Sequence, residues 1–160
     1  MHSPKTLLAA VCAILLISSC IKDSTVTNVP IITGIQTTDF NAEPTGVVGI
    51  DNSKAYTTNF NDKIIVYPNP CVNRFSIVYF SPYDDSMKIW MEAGLFKNPP
   101  SGASVKNQSL YGKTLNPLTI KLNTGENSVS INATSFPNGF YRVYVATMRD
   151  TLYENIWIKR

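Results

Sequence analysis

From Lys63 onward the chain alternates apolar and polar residues with a period of two, the repeat that turns one side of an extended strand toward a core and the other toward water. Ile64 to Tyr67 is a short apolar run. In the next run Phe75, Ile77 and Tyr79 share one face, and Ser76, Val78 and Phe80 the other. After the turn-forming stretch Ser81-Pro82-Tyr83-Asp84-Asp85, Met87, Ile89 and Met91 alternate with Lys88, Trp90 and Glu92. Further on, Leu118, Ile120 and Leu122 form one set, Val129 and Ile131 another, and Tyr141, Val143 and Val145 a third opposite Arg142 and Tyr144. A closing run, Leu152 to Ile158, puts Ile156 and Ile158 on one side. About seven short strands with turns between them, and no segment of helical period, predict an all-β fold. The expected architecture is a single immunoglobulin-like antiparallel β-sandwich over residues 62–160.

Upstream, residues 21–61 are rich in Thr, Asn, Asp and Gly, with Pro30 and Pro44 as punctuation. The apolar clusters Ile31-Ile32 and Val47-Val48 look too brief to build a core, so residues 20–61 read as a flexible tether with one added strand near Gly46 to Ile50. The stretch from Gly94 to Pro117 reads as a long irregular loop.

Between the first two sandwich strands stands Tyr67-Pro68-Asn69-Pro70. Each proline fixes φ and lacks an N–H, so neither suits a central strand, and Asn69 suits a turn. The segment predicts a stiff corner. Gly139 can take a positive φ ahead of its strand. Tyr141 fits a tyrosine corner, with its ring in the core and its hydroxyl bonded to nearby backbone. Lys159 and Arg160 read, on the residues alone, as a solvated end.

The N-terminus has the pattern of an export signal. Thr6 to Ser18 is apolar and uncharged, and too short to span a bilayer as a permanent helix, which takes roughly 20 apolar residues. It ends in Ile17-Ser18-Ser19-Cys20, which resembles a bacterial lipobox: an aliphatic residue and two small ones before a cysteine. That resemblance implies removal of residues 1–19 and acylation of Cys20, anchoring the chain to a membrane. Cys12 leaves with the signal, so Cys71 stands alone and no intramolecular disulfide is expected. The single histidine, His2, is also removed, which argues against zinc and against a catalytic Ser-His or Cys-His pair. No cofactor or metal is expected. The net charge of +3, from scattered lysines, gives no reason to expect nucleic-acid binding.

Four segments in order resemble the C-terminal sorting domain of type IX secretion substrates in Bacteroidetes: Ile64 to Pro70, the alternating strand after it, Phe136 to Val145, and the closing strand ending Ile156-Trp157-Ile158-Lys159-Arg160. The resemblance marks Tyr67, Pro68, Asn69, Pro70, Gly139, Tyr141, Lys159 and Arg160 as sorting-motif residues. It implies recognition by the type IX machinery and a place in the outer membrane, on its periplasmic or surface side. The chain departs from the family in having no large cargo ahead of the domain. Two rival readings remain open. One is a binding module contacting glycan or protein through Trp90, Tyr111 and the long loop. The other, a hydrolase using Asp84, Asp85 or Glu92, is disfavoured because those acids lie on or near a turn with nothing to pre-organise them.

Overall fold

The structure is a computed structural model that describes residues 29–50, 64–97 and 114–160. The described residues contain no helix and eleven strands: β1 (Ile31–Ile32), β2 (Gly34–Thr38), β3 (Pro44–Gly49), β4 (Ile64–Tyr67), β5 (Arg74–Ser81), β6 (Asp85–Ala93), β7 (Leu95–Phe96), β8 (Thr114–Leu122), β9 (Gly125–Asn132), β10 (Gly139–Ala146) and β11 (Thr151–Ile158). All seven strands read from the alternation are present, as β4, β5, β6, β8, β9, β10 and β11.

They form two antiparallel sheets, one of three strands in the order β4-β5-β9 and one of four in the order β11-β10-β6-β8. The chain makes a hairpin within a sheet at β4–β5 and at β10–β11. It changes sheet between β5 and β6, between β8 and β9, and between β9 and β10, which gives the immunoglobulin-type wrapping. Phe75, Ile77, Met87, Ile89, Met91, Tyr141, Val143, Ile156 and Ile158 face inward and are fully buried, as period-two alternation requires of two facing sheets.

One inward set departs from strict alternation. Leu118 is exposed, whereas Ile120 packs on the core and Leu122 is buried within it. Ile89 pairs with Leu118 but Met91 pairs with Leu115, so Asn116 and Pro117 together oppose Trp90. That is a bulge, and an edge strand is where a proline without an N–H can be accommodated. The expected loop from Gly94 to Pro117 is accordingly strand at both ends, β7 and β8; residues 98–113 lie outside the described set.

The larger correction concerns the tether. Residues 29–50 fold onto the sandwich as an arm. β1 pairs in parallel with β7, and β2 and β3 form a hairpin that includes the expected added strand. Ile32 and Ile35 are buried to within 1% and cluster with Phe96 and Phe140, flanked by Val48 and Trp157. Burying one such side chain contributes about 1.5–3 kcal/mol, so Ile32 and Ile35 suffice when a ready surface receives them, while Ile31 and Val47 stay exposed. That surface fits a glycine: a Cβ on Gly94 would run into the side chain of Ile32. The arm adds a partial third layer outside the four-stranded sheet, beyond a two-sheet sandwich. Residues 20–28 and 51–63, also read as tether, fall outside the described residues.

Candidate functional site

The Tyr67–Pro70 corner puts an asparagine where no solvent reaches. Both X–Pro bonds, Tyr67-Pro68 and Asn69-Pro70, are cis, and Asn69 is 1% exposed. Its side-chain amide donates to Gln36 O (2.8 Å) and to Asn155 O (2.9 Å), while its Oδ1 accepts from Trp157 N–H (3.0 Å). Its backbone exchanges two hydrogen bonds with Thr38, and the Thr38 hydroxyl donates to Val66 O. A buried amide this well satisfied is a structural joint, more than the simple turn residue that its proline flanks suggest. It ties together the arm, the corner and the free edge of β11.

Asn155, 8% exposed in the middle of β11, is a second joint. Its amide donates to Gly34 O (3.1 Å), and its Oδ1 accepts from Arg142 Nε (3.0 Å), whose guanidinium also donates to Ile31 O (2.9 Å). Sequence reasoning missed Asn155 and Arg142, along with Ile32 and Ile35. The available signal was an asparagine in mid-strand, a position where a side-chain amide needs a specific partner if it is not in water.

The other motif residues gather at the same end of the sandwich. Cys71 N–H donates to Trp157 O (2.9 Å) and Lys159 N–H to Cys71 O (2.8 Å), so the chain after the corner runs parallel along β11. The Cys71 thiol is buried, and burial, partly offset by Arg160, pushes its pKa up to about 11; it is an inert filler. Gly139 pairs with Ile158 as the first residue of β10. It does not use the freedom of glycine to take a positive φ, which among the described glycines occurs at Gly46, Gly49 and Gly125. Tyr141 is fully buried, its hydroxyl donates to Pro137 O (2.8 Å), and Phe136 meets its ring edge-on. Burial raises its phenol to about 12.

The basic end is half what the residues alone suggest. Lys159 is exposed, with its ammonium over the Trp157 ring at 4.7 Å. Arg160 is tied into the fold: its guanidinium donates to Val72 O and Ala133 O, and Asn138 donates to its carbonyl. An arginine can do this because its rigid fork offers several donors at once.

Of the alternative binding residues, Trp90 lies on the outer face of the four-stranded sheet; Tyr111 is outside the described residues, as is Cys20. Tyr144 stands between Trp90 and Tyr153 in register across three strands. The Trp90 and Tyr144 rings are stacked (4.8 Å, 7°), Tyr153 tilts against Tyr144, and Arg142 sits 4.3 Å from the Tyr153 centroid. Trp90 Nε1 donates to Glu92 (3.2 Å). Burial, reinforced by Glu92 and opposed by Arg142, pushes the Tyr144 phenol up. The facing sides of Trp90 and Tyr144 therefore cover each other, and one side of Tyr153 is taken by Arg142. Asp84 accepts from Thr124 N–H and Oγ1, which holds its carboxyl below the usual range, and Asp85 accepts from Ser86 N–H. No group of three or more His, Cys, Asp or Glu among the described residues is arranged to hold a metal ion.

These features define an immunoglobulin-type β-sandwich with an N-terminal arm sealed against its closing strand. The chain matches no protein-family model, no curated protein and no solved structure.

Proposed function

We propose that the chain is a non-catalytic cell-envelope lipoprotein whose β-sandwich acts as a type IX sorting-type module, in export, surface attachment or assembly with envelope proteins. One observation carries this reading. The segments that resemble the sorting domain, far apart in sequence, meet on one strand: Asn69 and Cys71 line the edge of β11, Gly139 pairs with Ile158, and Arg160 reaches back to Val72. A recognition element made of the corner and the closing strand needs such a common platform. In this reading Cys20 carries the lipid, and several acyl chains at about 0.8 kcal/mol per buried methylene make a durable outer-membrane anchor.

A second reading, a binding module for glycan or protein, has the Trp90–Tyr144–Tyr153 row in its favour. The mutual stacking of those rings leaves few free faces for a sugar, which places it second. Metabolic labelling with a fatty-acid analogue tests the anchor. Wild type is expected to take the label and fractionate with membranes, and Cys20→Ala to lose both properties. A labelled Cys20→Ala protein, or an unlabelled wild type, contradicts the lipoprotein assignment.

A further inference from the structure

Exposed apolar side chains gather where the chain enters the fold. Of the eleven large apolar side chains that are exposed among the described residues, four lie on residues 29–50 and a fifth is Leu95, on the strand that receives the arm. Ile31 and Leu95 are register partners at 60% and 44% exposure, while Ile32 and Phe96 turn inward from the same two strands. The two side chains therefore stand together on the outer side of the β1–β7 pair. Ile50, 61% exposed, lies beside them: its N–H donates to Thr33 O, and a Cβ on the preceding Gly49 would meet the Phe96 ring. Cations flank this patch. Lys97 is exposed next to Phe96, and the exposed Lys159 stands over Trp157, which packs on the apolar cluster beneath the arm.

We infer that this patch lies against the lipid headgroups of the membrane that holds the acylated Cys20, an inference that rests on the lipoprotein reading. The length of the chain ahead of the arm points to that occupant. Ile31 follows Cys20 by eleven residues, which span at most about 36–40 Å. The opposite end of the sandwich, at Tyr83, is separated from Leu95 by the nine-residue β6, about 30 Å of strand. The patch is thus the part of the body held closest to the anchor. Its chemistry suits an interface, where apolar side chains enter the boundary of headgroups and acyl chains by about 5–10 Å and ammonium groups meet anionic headgroups. A body seated in this way adds apolar contact to the acyl chains and fixes which side of the sandwich faces away from the lipid.

Fluorescence quenching in vesicles tests it. Ile31→Cys and Leu95→Cys, made separately in the full-length chain, leave the core untouched because both side chains are exposed. Cys71 is buried and stays unlabelled. Each protein is purified with its lipid, labelled at the new cysteine with a fluorophore, and reconstituted in vesicles of phosphatidylethanolamine and phosphatidylglycerol that carry a nitroxide on the acyl chain. Both probes are expected to lose most of their emission, whereas a probe on the Tyr83→Cys protein keeps its own. Ile31 and Leu95 probes as bright as the Tyr83 probe, on protein whose Cys20 is acylated by mass spectrometry, overturn this inference and leave the lipoprotein reading standing. Probes shielded from aqueous iodide yet unquenched by the nitroxide show that protein covers the patch, which overturns it as well. A Cys20 without acyl chains overturns the lipoprotein reading and this inference together.

Discussion

At the scale of the residue, Asn69 is the side chain on which most of the construction converges. Replacing it with Ala removes three side-chain hydrogen bonds and leaves the Trp157 N–H and two carbonyls facing a buried gap. An orphaned buried group costs about 1–3 kcal/mol, so Asn69→Ala is expected to lower stability by about 3 kcal/mol in chemical denaturation. A loss within 0.5 kcal/mol, the range of ordinary surface changes, would contradict the role given to it. Asn69 was legible in the sequence as a residue of consequence because two prolines bracket it. Its burial was not legible, since its partners Gln36 and Asn155 lie 33 and 86 positions away. Tyr141 was legible in more detail, because its hydroxyl bond to Pro137 O is local. Burial raises this phenol to about 12 and the Cys71 thiol to about 11, above their ordinary values of 10.0 and 9.0. Both groups favour the folded state while protonated. Their contributions are therefore complete below about pH 9 and are lost as pH rises through the raised values. Denaturation midpoints measured from pH 9 to 12 should fall, and Tyr141→Phe should make the fall shallower.

At the scale of the element, the seven sandwich strands were readable because each turns one face to the shared core, and alternation reports that directly; only Phe140 on β10 and Asn155 on β11 are also buried on the other face, under the arm. The arm was not. β3 is exposed along most of its length, and β1 and β2 hold their core residues in Ile32 and Ile35 alone, so no periodic signal develops. What makes the arm fold is tertiary: the Gly94 gap, the Phe96–Phe140 surface, and the amides of Asn69 and Asn155. Ile32→Ala is expected to cost about 2–4 kcal/mol in arm docking, through lost burial and the cavity left behind. Limited proteolysis should then cut within residues 29–50 well before the sandwich. Simultaneous cleavage of arm and sandwich would show that the two unfold as one unit. The same tertiary logic accounts for Arg160, whose carbonyl partners at Val72 and Ala133 belong to distant turns.

At the scale of the whole molecule, the arm and the corner close the side of the sandwich where β4 and β11 stand at the edges of their sheets. Covering an edge in this way guards against unwanted pairing with other chains. It also puts the closing strand at the centre of the molecule's long-range bonds, with Lys159 left exposed beside it. The proposed role as a sorting-type envelope lipoprotein rests on that arrangement. Its most direct test is protease accessibility on intact cells, comparing wild type with a chain in which Lys159 is changed to Glu. Lys159 makes a ring contact with Trp157 and lies outside the core, so the variant should fold; circular dichroism of the purified protein checks this. The account predicts that wild-type protein is cleaved on whole cells and that the folded Lys159→Glu protein is protected until the outer membrane is opened. Equal accessibility of the two folded proteins on intact cells would contradict it.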